Sequence, residues 1–174
     1  MELNYCRRCG LKLKLIAQKH VFRCENNHTI FNNASASTGI FILDNNNNVH
    51  LSVRGIEPHK GKLDAFGGFL DGLETAESAL TRELKEETGL TSDQYEQPIF
   101  LGTATSEYPH QEENLSVLTL LYFTRLKPDA KITPQDDVAG IETFPLAEIP
   151  LDRLHNVDIV RGVELLQQYF RADK

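Results

Sequence analysis

Apolar and polar residues along positions 38–54 follow a pattern that predicts a β-hairpin. The apolar run TGIFIL is followed by the polar run DNNNN and then by VHLSVR. Asparagine tolerates left-handed backbone conformations and supports tight turns, so the polar run is expected to join two strands. Two further strands are predicted at residues 99–105 and 115–124, with the polar segment SEYPHQEEN as a loop between them.

Helical periodicity predicts two helices in the remaining sequence. The first, at about residues 75–87, follows the glycine-rich segment EPHKGKLDAFGGFLDGLE and ends before Gly89, where a C-cap glycine is expected. The second is predicted at about residues 157–170. Strands combined with two helices favour an α/β or α+β sandwich.

The first predicted helix places three carboxylates on the side that should pack against the core. At about 100° per residue, Glu83, Glu86 and Glu87 share a sector with apolar residues of the preceding turns. Those apolar residues are Ala76, Ala79 and Leu80. The opposite side is already polar and carries Glu77, Ser78, Thr81, Lys85 and Thr88. The solvated face of an amphipathic helix therefore does not account for the three acids.

Clustered inward carboxylates are expected to bind cations or to share protons, because burying one unpaired carboxylate costs several kcal/mol. An all-oxygen cluster suits Mg²⁺ or Mn²⁺ rather than zinc. Divalent ions beside a glycine-rich loop favour phosphoryl chemistry, in which they bridge phosphate oxygens and activate water. The alternative is a solvated stripe of glutamates on a rotated helix, paired with Lys85 and other cations.

The spacing of these residues resembles the Nudix box. Gly68 is followed after five residues by Glu74, and after seven more by Arg82-Glu83-Leu84. One residue separates this triplet from Glu86-Glu87, and one more precedes Gly89-Leu90, so every defined position of the box is filled. The resemblance implies the Nudix α/β/α sandwich with a mixed sheet, and a pyrophosphohydrolase, which is a hydrolase acting on acid anhydrides.

The resemblance also implies roles for individual residues of the box. Glu83, Glu86 and Glu87 would be metal ligands, and the carbonyl oxygen of Gly68 would add another. Arg82 would orient the acids, since an arginine can hold a carboxylate through two parallel hydrogen bonds.

Glu74 would support the loop rather than take part in the chemistry. The chain departs from the family just before the box, where relatives often carry Pro-Gly-Gly and this sequence has Phe66-Gly67-Gly68. We interpret Phe66 as a core aromatic, with a place in the pocket wall as the alternative.

Members of the family usually take one more carboxylate from a loop beyond the helix. The segment PQDDVAGIETFPLAEIP resembles the stretch that carries it in zinc-ribbon relatives, which points to Asp137, with Asp136 beside it. Glu112 and Glu113 in the segment EYPHQEEN are rival candidates. Paired acids in polar loops are also common as solvated turn residues, so the choice stays open.

Three residues outside the box are candidates for contacts with a substrate. Arg54, at the end of the second hairpin strand, is a candidate for binding a substrate phosphate. Phe69 and Tyr108 are candidates for stacking on a base.

The N-terminal segment carries all three cysteines of the chain with a spacing typical of a zinc site. Cys6-x2-Cys9 is followed after fourteen residues by Cys24-x3-His28. An odd cysteine is left over by any disulfide pairing within the chain, so reduced thiols or metal ligands fit better. We predict a structural Zn²⁺ held by these four residues, because four protein ligands leave no open position for substrate.

This arrangement resembles Nudix enzymes that carry a zinc ribbon ahead of the catalytic domain, including the group related to NADH pyrophosphatase. A second Cys-x2-Cys is usual there, and Asn27 occupies the expected position of the fourth cysteine. His28 is the predicted replacement and His20 the alternative. A degenerate ribbon that folds without metal is also consistent with the sequence.

The sequence predicts two domains, a zinc-ribbon-like module at residues 1–33 and a Nudix hydrolase domain at residues 34–174. A net charge of -7 argues against a general nucleic-acid surface. We find neither an apolar run long enough for a membrane helix nor a signal peptide, and we predict a cytoplasmic protein. Enzymes that this chain resembles are often homodimers, which the residues themselves leave open.

The predicted function is divalent-metal-dependent hydrolysis of the pyrophosphate bond in a nucleoside diphosphate linked to another moiety. NADH, FAD and ADP-ribose are candidate small-molecule substrates, and a nucleoside monophosphate would be released. The tryptophan-containing signature that follows the box in NADH pyrophosphatases is missing, since the chain has no tryptophan. The alternatives are a nucleotide sensor that binds ADP-ribose or NAD without hydrolysis, and the decapping of NAD-capped RNA.

Overall fold

A computed structural model describes residues 3–17 and 20–172, which divide into two compact units. One unit comprises Met1–Ser35 with Glu107–Val117, and the other comprises Ala36–Ser106 with Leu118–Lys174. The elements in chain order are β1 (Lys14–Ala17), β2 (Val21–Arg23), β3 (Thr29–Phe31), β4 (Ser35–Leu43), β5 (Asn48–Arg54), β6 (Leu63–Asp64), α1 (Ala76–Thr88), β7 (Ile99–His110), β8 (Glu113–Arg125), β9 (Val138–Pro145) and α2 (Val157–Ala172). The predicted boundary near residue 33 remains a prediction.

A six-stranded mixed sheet organises the larger unit. Its strand order is β6-β5-β4-β8-β7, and β9 pairs with β5. The pairs β4–β5, β5–β6 and β5–β9 are antiparallel. Strands β4 and β8 run in the same direction, because the Ser37 hydroxyl bonds Thr119 near the start of β4 and the Leu43 carbonyl accepts from Leu126 N–H at its end.

Alternating side chains of the sheet build two separate hydrophobic layers. Phe41 and Leu43 of β4 belong to a buried cluster that includes Ile159, Val163 and Leu166 of α2. The intervening residues Ile40 and Ile42 belong to a second cluster with Leu80 and Leu84 of α1. Because successive side chains of a strand point to opposite faces, α1 and α2 cover opposite faces of the sheet. The predicted α/β/α sandwich is confirmed.

Local capping chemistry fixes the ends of α1. Thr75 is the N-cap and forms a reciprocal capping box with Ser78, which satisfies backbone donors that the helix leaves free. Gly89 ends the helix in the left-handed conformation, with φ of 71°. The predicted bounds of 75–87 are correct to within one residue, and the second predicted helix extends two residues further, to Ala172.

The predicted hairpin at residues 38–54 is also confirmed, but the predicted loop SEYPHQEEN is wrong. Strand β7 continues to His110 and β8 begins at Glu113, so only a tight turn remains, with Gln111 at φ of 53°. The polar residues of this segment lie on two long paired strands, and the hydrogen bonds between the strands satisfy their backbone groups.

The N-terminal part of the smaller unit is a three-stranded antiparallel sheet in the order β1-β2-β3. Its small buried core contains Cys6, Cys24 and Ile30. These strands were not predicted, because segments of three or four residues are too short to show a period. Among the described residues, no helix is both long and apolar enough to cross a membrane.

We predict that Gly162→Val destabilises the larger unit by about 2 kcal/mol or more, because overpacking a filled core forces side chains off their rotamers. A Cβ atom at Gly162 of α2 would lie 2.8 Å from ring atoms of Phe41 and 3.0 Å from Leu121. Gly140→Val in β9 is the control, since a Cβ there meets nothing within 4 Å. Equal urea midpoints for the two variants would contradict this packing.

Candidate active site

Helix α1 presents its three glutamates at different depths. Glu87 is buried, with 7% of its surface exposed, and the Glu83 side chain is mostly covered. The side chain of Glu86 is 49% exposed, so the prediction that all three point inward is wrong for Glu86. The prediction that Thr88 lies on the solvated side is wrong: Thr88 is fully buried, and its hydroxyl is satisfied by donating to the Leu84 carbonyl.

The glycine-rich loop closes over the two buried acids. The Gly67 N–H donates to Glu87 Oε2 at 2.8 Å. Gly67 adopts φ of 133°, and a Cβ there would clash with the Thr38 carbonyl, so only glycine fits. A Cβ at Gly68 would lie 2.5 Å from Glu83 Oε1, and the Gly68 carbonyl accepts from Thr38 N–H at 2.9 Å. The loop backbone therefore lies directly against the carboxylates.

Arg82 links four groups of the loop and helix. Its Nε and one terminal nitrogen form a bidentate pair with Glu74 at 3.1 and 2.9 Å. The other terminal nitrogen donates to Glu83 Oε1 at 2.7 Å and to Glu86 Oε2 at 3.1 Å. A further bond reaches the Phe69 carbonyl at 3.1 Å. Hydrogen bonding from Arg82 lowers the pKa of Glu74, which also accepts from the Asp71 N–H.

Backbone hydrogen bonds place Asp137 beside these acids. The loop before β9 is tied to the end of α1, where Thr133 N–H donates to the Thr88 carbonyl and Gln135 N–H to the Glu87 carbonyl. The Asp137 carbonyl accepts from Gly55 N–H at 2.6 Å. The neighbouring Asp136 is exposed, whereas the rivals Glu112 and Glu113 belong to the smaller unit.

The negative charges of the site are only partly compensated by protein groups. Burial raises the pKa of Glu87 to about 9, opposed by the Gly67 N–H and assisted by the charges of Glu83, Asp137 and Asp64. Burial also raises the pKa of Glu83, although Arg82 opposes the shift. Acceptor-only oxygens in this density fit a hard divalent cation, which would offset their repulsion.

Other predicted contact residues have distinct surroundings. Arg54 is mostly covered, and its guanidinium donates to Asp64 Oδ2 at 2.8 Å and to the Pro58 carbonyl at 2.9 Å. Phe69 is partly exposed next to Gly68, whereas Tyr108 belongs to the smaller unit. Sequence reasoning missed Asp64, whose only signal was an acid in an otherwise apolar stretch before the glycines.

The four predicted zinc ligands of the smaller unit converge. One ligand atom from each of Cys6, Cys9, Cys24 and His28 lies within 4.8 Å of all the others. Cys6 Sγ is 3.5 Å from His28 Nδ1, and Cys9 Sγ is 3.7 Å from Cys24 Sγ. Tetrahedral zinc with thiolate bonds of about 2.3 Å requires ligand separations of about 3.8 Å. These residues could therefore hold a metal ion.

The backbone around the cysteines favours a thiolate at Cys6. Burial raises the pKa of Cys6, but backbone hydrogen bonds from Arg8 and Cys9 and the contact with His28 lower it to about 6. A thiolate is the form that binds metal. Asn27 has a left-handed conformation with φ of 58°, which turns the chain so that His28 reaches the cluster.

The fold and the acid-lined glycine loop define a Nudix domain, and comparison with known proteins agrees. The model of the NUDIX domain family matches residues 34–162. The chain therefore belongs to the NUDIX family. The solved structure of a NUDIX hydrolase from Nitrosomonas europaea superposes with a TM-score of 0.66 at 20% identity, covering 97% of this chain and 91% of that one.

Two relatives that are named for an activity align with a smaller part of this chain. An 8-oxo-dGTP diphosphatase from Proteus vulgaris is 38% identical over 76 residues, 43% of this chain and 65% of that protein. An ADP-ribose pyrophosphatase from Methanocaldococcus jannaschii is 30% identical over 109 residues, 63% of this chain and 61% of that protein. This chain thus spans slightly less than two thirds of the length of either relative.

We predict that Glu87→Gln stabilises the metal-free protein by about 1–3 kcal/mol near pH 8, because folding no longer has to protonate or bury the Glu87 carboxylate and the amide oxygen keeps an acceptor for Gly67. The pKa of Glu87 rises from 4.5 in the unfolded chain to about 9 in the folded one. The folded state therefore binds the extra proton between these values, and wild-type stability falls across this window as pH rises.

The measurement is urea unfolding in EDTA from pH 5 to 9. The stability difference between Glu87→Gln and wild type should grow with pH, while Glu77→Gln on the exposed side of α1 stays parallel to wild type. A difference independent of pH would show that Glu87 is compensated within the protein.

Proposed function

We propose that the chain is a divalent-cation-dependent pyrophosphohydrolase that cleaves a nucleoside diphosphate linked to another moiety and releases a nucleoside monophosphate. The observation that carries this proposal is the position of the covered Glu83 and Glu87 carboxylates against the Gly67-Gly68 loop, with the charge of Asp137 acting on both. Among the described residues, the Gly67 N–H is the hydrogen-bond donor to the Glu87 carboxylate. Such a centre is costly to maintain unless a cation occupies it.

Five oxygen donors would hold Mg²⁺ or Mn²⁺ in this proposal. They are the Gly68 carbonyl and the carboxylates of Glu83, Glu86, Glu87 and Asp137. When bound, the cations would supply charge neutralisation of the pyrophosphate and a water activated for attack on phosphorus. Glu86 fits an outer ligand, because its carboxylate is half exposed at the rim.

The chain's own residues would position this centre. Arg82 holds Glu83 and Glu86 through one terminal nitrogen, while its other side is fixed by the bidentate bond to Glu74. Rigid placement of ligands contributes to catalysis, because groups held in the reactive geometry need no reorganisation. Gly55 positions the backbone of Asp137, because its N–H donates to the Asp137 carbonyl oxygen. A side chain at Gly55 would prevent this approach, since a Cβ there would lie 2.5 Å from the same oxygen.

The substrate class is proposed from the relatives and from the chemistry of the site. One relative is named for 8-oxo-dGTP and the other for ADP-ribose, and both compounds are purine nucleotides with a pyrophosphate. ADP-ribose is our first candidate, and NADH and FAD offer the same linkage. Arg54 is less suited to a phosphate than expected, because its guanidinium already bonds Asp64 and Pro58.

We further propose that Cys6, Cys9, Cys24 and His28 bind one structural Zn²⁺, as in zinc-ribbon relatives of NADH pyrophosphatase. With four protein ligands the ion would have no open position, so its contribution would be to the folding of the smaller unit. The small core of that unit supports this role, since domains of this size usually need a metal or disulfides.

The first test is product analysis with Mg²⁺ and ADP-ribose, 8-oxo-dGTP, NADH and FAD. Wild type should release the nucleoside monophosphate from at least one, and Glu87→Gln should lower kcat by about a thousandfold, as expected when a group essential to a metal centre is lost. Glu77→Gln on the exposed side of the same helix should retain wild-type turnover. If wild type releases no product, or Glu87→Gln remains active, the proposed function is wrong.

A second prediction concerns zinc, measured by atomic emission on protein purified without added metal. We expect one zinc per chain in wild type and in His20→Ala, and loss of zinc in Cys24→Ser. His28→Cys should retain zinc, because thiolate and imidazole are both zinc ligands. Zinc retained by Cys24→Ser would contradict the site.

A further inference from the structure

A cavity of about 500 Å³ lies beside α1, on the face of the sheet that this helix covers. Its walls come from the N-terminal half of α1, from the loop that precedes β7, and from β7 and β8 themselves. Small-molecule sites usually have volumes of roughly 300–1,000 Å³, so the cavity can hold a small organic ligand. The described residues that line it include none of the proposed metal ligands of the candidate active site.

Three aromatic side chains contribute to the wall of this cavity. Tyr95 and Tyr122 are more than nine-tenths buried, whereas Phe100 is 53% exposed. The rings of Phe100 and Tyr122 meet edge to face, with their centroids 5.2 Å apart. The faces of aromatic rings carry negative charge density and attract cations. The wall therefore suits a ligand that is partly apolar and positively charged.

Two carboxylates line the cavity from different elements. Glu77 belongs to the first turn of α1, and Glu96 belongs to the loop before β7. Within residues 3–17 and 20–172, neither side chain takes part in an ion pair. No lysine, arginine or histidine from the same ranges lines the cavity. Its negative charge is therefore uncompensated, and an organic cation is the complementary ligand.

The hydroxyl groups of Tyr95 and Tyr122 are acceptors that the fold does not use. Neither has a hydrogen-bond partner in the part of the chain that the structure describes. Polar groups of side chains buried to this extent are usually hydrogen-bonded. Burial raises the pKa of Tyr122, and the charge of Glu77 adds to the rise, so this carboxylate acts on the phenol. A phenol oxygen can accept a hydrogen bond from an ammonium N–H.

Backbone hydrogen bonds hold the loop before β7 in place. The Glu96 N–H donates to the Arg125 carbonyl at 2.9 Å, and the Glu96 carbonyl accepts from the Thr124 hydroxyl at 2.6 Å. Tyr95 of this loop packs in the same buried cluster as Leu80 of α1. The walls of the cavity are thus formed by the folded chain itself, which avoids the cost of ordering them when a ligand binds.

We propose that this cavity binds an aliphatic diamine, with one ammonium group at Glu77 and the other at Glu96. Two carboxylates on separate elements favour two positive charges over one. The apolar side chains of Leu80 and Leu120, which share the cavity, favour a hydrocarbon chain as the linker. A divalent metal ion fits less well, because such ions prefer several oxygen ligands to aromatic rings. The inference does not rest on the proposed hydrolysis.

The test is calorimetry on the full-length chain without added Mg²⁺ or Mn²⁺. The probes are cadaverine with two ammonium groups, pentylamine with one, and pentanol with none. We expect one cadaverine per chain, bound about fivefold or more tightly than pentylamine, because an additional ion pair contributes up to that order. Pentanol should show no measurable binding, since the apolar contacts of a short chain do not suffice alone.

Single substitutions at the two acids should remove the advantage of the second charge. In Glu77→Gln and in Glu96→Gln, cadaverine should bind no more tightly than pentylamine does. Phe100→Leu should weaken both amines by about threefold, because it keeps an apolar side chain but removes a ring that attracts cations. Glu148→Gln is the matched control, since this exposed acid lies outside the cavity and the net charge changes equally.

Two results would overturn the inference. Equal affinities of wild type for cadaverine and pentylamine, or an equal loss in Glu148→Gln and Glu77→Gln, would show attraction to the overall negative charge alone. Absence of binding at millimolar cadaverine would exclude the site. Urea midpoints of the variants equal to that of wild type ensure that a loss of binding is not a loss of folding. Nucleotide turnover does not enter this experiment, so its failure and that of the proposed function are distinguishable.

Discussion

The buried carboxylate of Glu87 is the constraint on which the rest of the larger unit depends. Folding brings this group out of water, and in the described part of the chain the Gly67 N–H is its hydrogen-bond donor, which is a weak substitute for hydration. The structure nevertheless keeps it buried between the glycine loop and the sheet. Two neighbouring acids increase the repulsion, which the proposed divalent cation would offset.

Several features of the fold hold this unfavourable cluster in place. Helix α1 is fixed at both ends by the Thr75 cap and Gly89, and its apolar side packs on β4. Its free C-terminal carbonyls bond the loop that carries Asp137. The glycine loop bonds the start of β4, and Ser37 of the same strand bonds Thr119, which in turn bonds Asp158 of α2.

The sequence predicted those parts that depend on local chemistry. The box spacing, the asparagine turn and the two helices follow from short-range pattern, and the family is confirmed by comparison. The exposure of Glu86 could not be predicted, because a helical wheel gives the direction of a side chain but not how much of it the neighbouring loop covers. The burial of Asp158 could not be predicted either, because its link to Thr119 joins residues 39 positions apart.

The most direct measurement of the central claim is a crystal structure with Mn²⁺, with data collected at wavelengths on both sides of the manganese absorption edge. The account predicts anomalous density among the Gly68 carbonyl and the carboxylates of Glu83, Glu87 and Asp137, and none at this place in Glu87→Gln. Manganese bound beside Glu112 and Glu113 instead, or an unoccupied Glu87 at millimolar Mn²⁺, would contradict it.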